Sequence, residues 1–378
     1  MPPQTRVSFL MARSELFIGL MSGTSLDGVD GVLADFAAPR PRLLAHGHHG
    51  FAPDLREAFE RLLQPGADEL HRAAVAAQHL ARAYASVVQD LLLHAAVDSG
   101  QVRAIGVHGQ TVRHRPDEGY TLQLNSPAVL AELAGIDVVA DFRARDIAAG
   151  GQGAPLVPAF HAAMFATDSP RAVVNIGGIS NVTGIPAQGG EGSVIGFDCG
   201  PGNVLIDAWA ARHTGEPMDR DGRWAAEGYT HADLLASFLA EPYFALVPPK
   251  STGRELFSVD WLDRHLDGRT IEARDVQATL TRLTARTIAQ SIERFVPGAG
   301  DVVVCGGGAR NPTLMKMLAE ECGARPVAAS AGFGIDPQHV EALAFAWLAR
   351  EHLARRPGNV PAVTGARGAR VLGALYPK

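Results

Sequence analysis

Cysteine is scarce in this chain. Only three of its 378 residues are cysteine, namely Cys199, Cys305 and Cys322, and no two of them form a C-x-x-C pair. A chain of this length can bury enough apolar surface to be stable without disulfides or a structural metal. Because the cysteine count is odd and the spacing matches no disulfide or metal pattern, the sequence favours a reducing compartment, and we expect a cytoplasmic protein.

Positive charge and long apolar runs are also lacking. Lysine and arginine number 34 against 40 aspartate and glutamate residues, a net charge of −6, which argues against a nucleic-acid partner. The chain has no run of about 18 consecutive apolar residues, so we expect neither a membrane-spanning helix nor a membrane partner. The short apolar stretch within residues 1–14 is interrupted by Arg13 and fits a loose lead-in better than a signal peptide.

Several familiar catalytic motifs are missing. The 14 histidines show no H-E-x-x-H spacing and no G-x-S-x-G is present, so the sequence predicts neither a zinc site nor a serine nucleophile elbow. The glycine triplet of CGGGARN (305–311) does not match G-x-G-x-x-G, which disfavours an NAD enzyme. PPKSTG (248–253) is similar to the end of a P-loop, but Pro249 replaces the required glycine, so we interpret it as a loop or substrate-side lid.

Strand and helix patterns alternate along the chain in two similar runs. The first run predicts strands over 16–21, 29–36 and 42–46, followed by a long helix over 69–96, where apolar residues recur every three or four positions. The second run starts near residue 171. In both runs a strand, a turn rich in glycine and polar residues, and a second strand follow one another, which is a weak internal repeat. Two such α/β halves would bind ligands in a shared cleft between their strand ends.

The turn in the first run, GLMSGTSLDGVD (19–30), has more special residues than a turn needs. Backbone N–H groups of a glycine-rich turn form an anion-binding concavity, and serine and threonine hydroxyls add donors. Asp27 and Asp30 would repel a bare phosphate but suit one accompanied by Mg²⁺. The alternative is a plain hairpin with a polar tip. A second turn, NIGGISN (175–181), favours the phosphate site, since it could hold the same phosphate chain from the other half.

Asp198 ends an apolar strand in GFDCGPGN (196–203). A carboxylate at a strand end, fixed by a stiff Gly-Pro-Gly turn and facing a cleft, suits a general base. The alternative is a cap for the following turn or helix, a role that Asn203 could fill instead. We predict that Asp198 is the catalytic base.

Two further polar segments leave alternatives open. DFRARD (141–146) contains Arg143 and Arg145 among four charges, and it is either a solvated turn with weak ion pairs or a site for an anionic or polyhydroxyl ligand. His108 and Gln110 follow a buried strand in the stretch HGQT. His108 is either a contact for a sugar hydroxyl or a structural histidine with satisfied hydrogen bonds.

In combination and in this order, the motifs of the chain resemble those of the anhydro-N-acetylmuramic acid kinases. The motifs are GLMSGTSLDGVD, HGQT, DFRARD, GGQGAPLVPAFH, NIGGISNV, GFDCGPGN, PPKSTGRE and CGGGARN. The resemblance covers nearly the whole chain from about residue 16. It implies an α/β fold of two actin-like (ribonuclease H-like) domains, each with a mixed, mostly parallel five-stranded sheet, around a central cleft. The domains would span 15–165, completed by part of 360–378, and 166–360.

The resemblance also implies roles for single residues. It places ATP and Mg²⁺ at the three glycine-rich loops, with Asp27 near the metal directly or through water, and it makes Asp198 the base. The implied nucleotide-binding residues are Ser22, Gly23, Thr24, Ser25, Leu26, Asp27, Gly28, Val29, Asn175, Gly177, Gly178, Asn181, Gly306, Gly307, Gly308 and Asn311. The implied sugar-binding residues are His108, Gln110, Arg143, Arg145, Gly202, Asn203 and Glu341.

The implied reaction converts ATP, water and 1,6-anhydro-N-acetylmuramic acid into ADP and N-acetylmuramic acid 6-phosphate, a step of cell-wall recycling. One alternative is another amino-sugar kinase of the same fold, which would phosphorylate a free hydroxyl. A second is a noncatalytic actin-like nucleotide-binding protein. A filament needs complementary faces that repeat without closing, and we find no long exposed apolar segment for one. A homodimer is implied by the resemblance only.

Overall fold

The computed structural model describes residues 15–23 and 25–378, so the predicted lead-in 1–14 and Thr24 lie outside the described residues. The strands are β1 (Leu16–Met21), β2 (Gly28–Asp35), β3 (Arg42–Gly50), β4 (Val102–Val107), β5 (Gln110–Arg115), β6 (Tyr120–Leu124), β7 (Val138–Ala140), β8 (Arg171–Ile176), β9 (Ile179–Ile185), β10 (Ile195–Pro201), β11 (Asp301–Cys305), β12 (Val327–Ala329) and β13 (Ala374–Tyr376). The helices are α1 (Pro53–Leu62), α2 (Glu69–Ala95), α3 (Pro127–Ala134), α4 (Ala144–Ala148), α5 (Val157–Phe165), α6 (Val204–Thr214), α7 (Arg223–Ala226), α8 (Ala232–Leu239), α9 (Val259–Leu266), α10 (Ala273–Phe295), α11 (Pro312–Cys322), α12 (Val340–Leu353) and α13 (Pro361–Thr364).

The two main sheets have the same strand order when one of them is taken in the reverse direction. The order is β13-β7-β4-β1-β2-β3 in the first sheet and β10-β9-β8-β11-β12 in the second. In the first sheet, β1 pairs antiparallel with β2 and parallel with β4. In the second sheet, β8 pairs antiparallel with β9 and parallel with β11. The α/β class and the two similar halves predicted from the sequence are therefore confirmed.

The first sheet has six strands where five were expected. The added strand is β13, near the C terminus, which pairs antiparallel with β7. A three-residue strand carries little periodicity of its own, so its pairing depends on the exposed edge that β7 offers after the rest of the sheet has formed.

Helices α5 and α12 lie between the two sheets. α12 packs on β1 and β4, α5 packs on β8 and β9, and the two helices contact each other. Phe17 and Val173 from the sheets join Phe160 and Phe345 from the helices in one buried cluster. The division predicted at residues 165 and 360 stays a prediction, and these contacts would place α12 with the first half.

The outer faces of the sheets are covered by other helices. α2 packs on β2 and β3 of the first sheet, and α10 and α11 pack on the second. A separate apolar cluster is formed mainly by α6, α8, α9 and α10. The longest described helix, α2, has 27 residues, yet no helix in the described part of the chain is both long and apolar enough to cross a membrane.

Candidate active site

The turn between β1 and β2 borders a cavity of about 560 Å³. Gly23, Ser25 and Asp27 line this cavity, and the Ser25 hydroxyl donates a hydrogen bond to Asp27 Oδ1 at 2.8 Å. The side chains of Leu26 and Val29 are buried in the core. The predicted phosphate turn therefore faces the cleft, but two of its predicted residues point their side chains away from it.

Ser22 has its hydroxyl inside the first half. The hydroxyl donates to the Gly109 carbonyl oxygen at 3.1 Å and lies 2.7 Å from the Tyr84 hydroxyl, and the side chain is buried. Its predicted role as a phosphate donor thus competes with two internal hydrogen bonds. Gly28, also predicted to bind nucleotide, is the first residue of β2.

The turn between β8 and β9 borders the same cavity through Gly177. The Gly202 N–H donates to the Gly178 carbonyl at 2.8 Å, and Asn203 donates to the Gly177 carbonyl from its N–H at 2.8 Å and from Nδ2 at 3.0 Å. A Cβ added to Gly202 would lie 2.3 Å from the Gly177 carbonyl oxygen. Gly202 and Asn203 therefore support the second turn, and their sugar contact stays a prediction.

The third glycine loop follows β11. Gly306 and Gly307 line the 560 Å³ cavity, and Gly306 has a φ of 80°, a conformation that favours glycine. Gly307 also lines a neighbouring cavity of about 410 Å³ together with Asn311. Gly308 is buried, and Asn311 Oδ1 accepts the Leu314 N–H at 2.9 Å, which caps α11.

Strand register connects the second phosphate turn to Asp198. Asn175 is opposite Asn181, and Asn181 is opposite Asp198. Directly opposed residues project from the same face of a sheet, and neighbouring strands lie about 4.8 Å apart, so Asp198 lies roughly 10 Å from Asn175. Asn175 lines the 560 Å³ cavity. The base predicted from the sequence therefore shares a sheet face with the predicted phosphate site.

Asp198 lines a cavity of about 540 Å³ of its own. Its Oδ2 accepts the Thr252 N–H at 3.1 Å. Burial raises the pKa of Asp198 to about 6; Glu255 adds to the rise, whereas the Thr252 hydrogen bond and Lys250 oppose it. Asp198 lies in the middle of β10 and not at its end, so the predicted strand end is wrong. Register with β9 is interrupted just after Asp198, a β-bulge of the kind often found beside active sites. A carboxylate with this pKa can accept a proton at neutral pH.

His108 has both ring nitrogens occupied within the protein. Nδ1 donates to the Ser22 carbonyl oxygen at 3.2 Å, since a carbonyl only accepts. Nε2 accepts from Arg143 Nε at 3.1 Å and Nη2 at 2.8 Å. Burial, with the Arg143 guanidinium beside it, lowers the pKa of His108 to about 3, so the ring is neutral. The structure thus favours the structural interpretation of His108. Gln110 is likewise buried, and its Nε2 donates to the Gly23 carbonyl at 3.1 Å.

Arg143 lies beside Glu341, whereas Arg145 does not reach the cavities. Burial lowers the pKa of Arg143 to about 10, and the neighbouring Glu341 opposes this. Burial raises the pKa of Glu341, opposed by the hydrogen bond from Asn175 Nδ2 at 3.2 Å and by Arg143. Glu341 lines the 560 Å³ cavity. Arg145 is exposed on α4 and lines none of the three cavities described here.

The segment DFRARD is solvated only in part, since Asp141 and Arg145 are exposed whereas Asp146 is not. Asp146 is completely buried and accepts hydrogen bonds from the Gly153 N–H at 2.8 Å, Asn359 Nδ2 at 2.6 Å and the Thr364 hydroxyl at 2.8 Å. These bonds attach residues 141–153 to the C-terminal part of the chain. The interpretation as weak surface ion pairs is therefore wrong for Asp146.

The acidic residues of the 560 Å³ cavity fit Mg²⁺. Asp27, Asp30 and Glu341 line the cavity together with the glycine turns. Among the described residues, no group of three histidine, cysteine or acidic side chains is arranged to hold a metal by itself. Mg²⁺ commonly keeps several waters and takes its remaining ligands from one or two carboxylates and the phosphates of a substrate. This donor set fits that pattern.

The structure groups the predicted residues in two places. The glycine loops, Asp27 and Glu341 border the 560 Å³ cavity, while Asp198 borders the 540 Å³ cavity, and the two have no lining residue in common. Sequence reasoning missed His114, Gln152 and Thr252, which line the cavity with Asp198. The available signals were the lid interpretation of PPKSTG, which contains Thr252, and the motif GGQGAPLVPAFH, which contains Gln152.

Comparisons with known proteins show the family of the chain. Residues 15–378 match the sequence profile of the family described as "Anhydro-N-acetylmuramic acid kinase". A relative with this name from Bordetella pertussis is 60% identical over 370 residues, covering 96% of each chain. One from Cupriavidus metallidurans is 56% identical over 373 residues, covering 97% of this chain and 98% of the relative.

Among solved structures, an activator of 2-hydroxyisocaproyl-CoA dehydratase from Clostridium difficile with bound ADPNP matches with a TM-score of 0.47. The identity is 14%, over 90% of this chain and 96% of the activator. The profile match and the close relatives carry the assignment. The chain therefore belongs to the anhydro-N-acetylmuramic acid kinase family and is a sugar kinase.

Proposed function

We propose that the cleft opens 1,6-anhydro-N-acetylmuramic acid with water while phosphorylating it. Water adds to C1, the bond between C1 and O6 breaks, and O6 takes the γ-phosphoryl group of ATP, which leaves ADP and N-acetylmuramic acid 6-phosphate. The observation that carries the proposal is the position of Asp198, which shares a sheet face with the phosphate turn and lies in a cavity large enough for a sugar.

Asp198 acts as the general base in this proposal. It takes one proton from the water as the oxygen approaches C1. A base works best when its pKa is near the operating pH, and burial gives Asp198 a pKa of about 6. The Thr252 N–H, 3.1 Å from Oδ2, orients the carboxylate.

Phosphoryl transfer replaces the acid of an ordinary glycosidase. An inverting glycosidase uses one carboxylate to activate water and a second carboxylic acid to protonate the leaving oxygen. Here the leaving oxygen, O6, is captured by phosphorus, so no proton donor is needed at that position. Asp198 alone supplies the carboxylate chemistry.

The nucleotide lies along the glycine loops in this proposal. Gly23 and Gly177 approach the phosphates from opposite halves, and Gly307 connects this cavity with the 410 Å³ cavity. We assign the second cavity to the nucleoside. Asp207 lines it, and burial raises the pKa of Asp207 to about 6, while Arg254 opposes the rise.

Mg²⁺ is the expected companion of the phosphates. Asp27 and Asp30 on the first hairpin and Glu341 on α12 are the residues that would hold it, directly or through water. Bound Mg²⁺ would neutralise charge on the β- and γ-phosphates. The three carboxylates themselves exclude a phosphate chain that lacks a cation.

This proposal and the other amino-sugar kinase differ in the sugar on which ADP release depends. Purified protein would be given ATP with 1,6-anhydro-N-acetylmuramic acid, with N-acetylglucosamine, or with no sugar, and ADP release would be followed. We expect ADP release to depend on the anhydro-sugar. ADP release with N-acetylglucosamine alone would support the other amino-sugar kinase, and ATP turnover independent of sugar would contradict both.

We further propose that the protein works in the cytoplasm and forms a homodimer. All three cysteines are buried and none is in a disulfide, which suits a reducing compartment. The dimer rests on the family resemblance. Light scattering on the purified chain would test it, with a mass near twice the 39.9 kDa of one chain expected.

A further inference from the structure

The chain segment that covers Asp198 is attached to its strand by hydrogen bonds. β10 is an edge strand, so some of its backbone groups need partners from outside the sheet. The Asp198 N–H donates to the Lys250 carbonyl at 3.2 Å, and two residues later the Thr252 N–H donates to the Asp198 carboxylate at 3.1 Å. Residues 250–252, which we name the cover segment, therefore hold both the backbone and the side chain of Asp198.

Lys250 attaches the cover segment to the opposite side of β10. Its ammonium lies over three aromatic rings, 4.7 Å from the centre of Tyr243 and 5.9 Å from those of Phe197 and Phe295. Nζ also donates to the Tyr243 carbonyl at 3.4 Å. Within the described residues Lys250 forms no salt bridge, so ring faces and one carbonyl hold the charge.

The aromatic cage and the base are themselves connected. The Tyr243 hydroxyl donates to the Asp198 carbonyl at 2.8 Å. Phe197 precedes Asp198 in β10 and its side chain packs into the core on the opposite face. Lys250 lines both the cavity of Asp198 and a cavity of about 320 Å³ behind the strand. A cation held here fixes the cover segment and also places a positive charge near the base.

We propose that Lys250 is a positioning residue, whose caged ammonium holds the cover segment on β10 and so sets the orientation and proton affinity of Asp198. This inference rests on the proposed role of Asp198 as base. The charged and titratable groups around the carboxylate are Lys250, Glu255, Cys199, Tyr243 and, across the cavity, His114. Those around the ammonium are Asp198, Cys199 and Arg294.

The test is the pH profile of kcat/KM for the anhydro-sugar, measured for Lys250→Met, Lys250→Arg and the control Arg294→Met. Lys250→Met keeps an apolar stem of similar length but removes the charge that favours the ionised carboxylate. We expect the acid limb of its profile to move to higher pH, and kcat at pH 7 to fall about tenfold or more while KM changes less. Lys250→Arg retains a cation that stacks on rings, and it should restore most of the position of the acid limb.

Arg294→Met is the matched control. Its guanidinium lies over Phe295 and lines the 320 Å³ cavity, but it donates to the Ala245 carbonyl and not to the cover segment. Its acid limb should match that of the unmodified protein. If Lys250→Met fails to fold, as judged by its melting curve, Phe295→Leu opens the cage with the lysine intact and should shift the limb in the same direction by less.

The outcomes separate this inference from the proposed function. An unshifted acid limb in a folded Lys250→Met, or in Phe295→Leu where that variant must stand in, overturns the inference. A uniform loss at every pH also overturns it, since that is the behaviour of a structural role. The proposed function fails separately, by a fully active Asp198→Asn.

Discussion

The two halves share a strand order but differ in the exposure of a carboxylate that lines the cleft. One row of opposed residues in each sheet carries a carboxylate that lines a cleft cavity; the rows are Met21, Asp30 and His48, and Asn175, Asn181 and Asp198. The Asp30 side chain is 46% exposed and pairs with His48 Nδ1 at 2.9 Å. Asp198 is instead covered by residues 250–252.

The difference arises from the path of the chain beyond the third strand of each half. After β3 the chain continues into α1 and α2, and α2 packs on the outer face of the first sheet. After β10 it forms α6 to α8 and then returns along the edge of β10 at residues 250–252. The comparison teaches that a shared scaffold does not make a base. Burial is the main cause of the raised pKa of Asp198, the residue that we propose as the base, and residues 250–252 lie against it.

Asp198→Asn should have the largest effect on activity and so show the difference between the halves most clearly. The amide cannot take a proton from water, and loss of a general base typically costs about 10²–10⁴-fold, so we expect kcat to fall by this amount. ADP release with the anhydro-sugar measures it. Asp30→Asn is the matched change in the first half and should raise KM for Mg-ATP with a smaller loss of kcat. Equal losses of kcat in both variants would remove the distinction between the halves.

Gly202→Ala should disturb the second phosphate turn. The new Cβ would lie 2.3 Å from the Gly177 carbonyl oxygen, and overpacking of this kind typically costs about 1–3 kcal/mol. We expect KM for ATP to rise about tenfold, since each 1.4 kcal/mol of binding is about a factor of ten. Gly100→Ala is the control, because its Cβ would have no neighbour within 4 Å and Gly100 is outside the predicted nucleotide- and sugar-binding residues. The same KM in both variants would contradict the support that Gly202 gives to the turn.

The stability of Asp198→Asn should depend on pH. Folding raises the pKa of Asp198 from 3.8 to about 6, so the folded protein disfavours the ionised form. Above pH 6 the carboxylate is ionised in both states and costs stability, and below about pH 4 this cost disappears. The variant should therefore be more stable than the unmodified protein at pH 8, by about 1–3 kcal/mol, and show no gain at pH 4. Denaturant unfolding at the two pH values checks this, and a gain that is the same at both would be inconsistent with a raised pKa.

Ser22→Ala should have the smallest effect on activity. The Ser22 hydroxyl bonds to Tyr84 and Gly109 inside the first half, and leaving a buried partner unsatisfied costs about 1–3 kcal/mol of stability. We expect a lower melting temperature. KM for ATP should stay within about twofold of the unmodified value, whereas a lost phosphate contact of about 1.4 kcal/mol would raise it about tenfold. Ser25→Ala, at an exposed hydroxyl in the same turn, should leave the melting temperature unchanged. A raised KM at unchanged stability in Ser22→Ala would show that its hydroxyl contacts phosphate.

Local patterns predicted the elements of each half well. The periodicity of 69–96 predicts α2 to within one residue of its observed end, and both glycine-rich turns lie between the strands where the sequence placed them. Glycine and hydrophobic periodicity act over a few residues, so they can be read from the chain directly. The glycine-rich loops that these patterns indicated border one cavity, through Gly23, Gly177 and Gly307.

Neither the direction of side chains nor the chain segment that covers Asp198 could be predicted from the sequence. Nothing local distinguishes the hydroxyl of Ser22, which bonds to Tyr84 62 residues away, from that of Ser25, which faces the cleft. The hydrogen bond that orients Asp198 comes from Thr252, 54 residues later in the chain. Such contacts depend on how separate elements pack, and a single sequence carries no local signal for them.

Incorporation of labelled oxygen from water tests the central claim most directly. The reaction would run in water enriched in oxygen-18 with the anhydro-sugar and ATP, and mass spectrometry would locate the label in the product. We expect one labelled oxygen on C1 of N-acetylmuramic acid 6-phosphate and none in its phosphate group. A product phosphorylated on O6 without label at C1, under conditions in which the sugar ring does not exchange its C1 oxygen with water, would contradict the account.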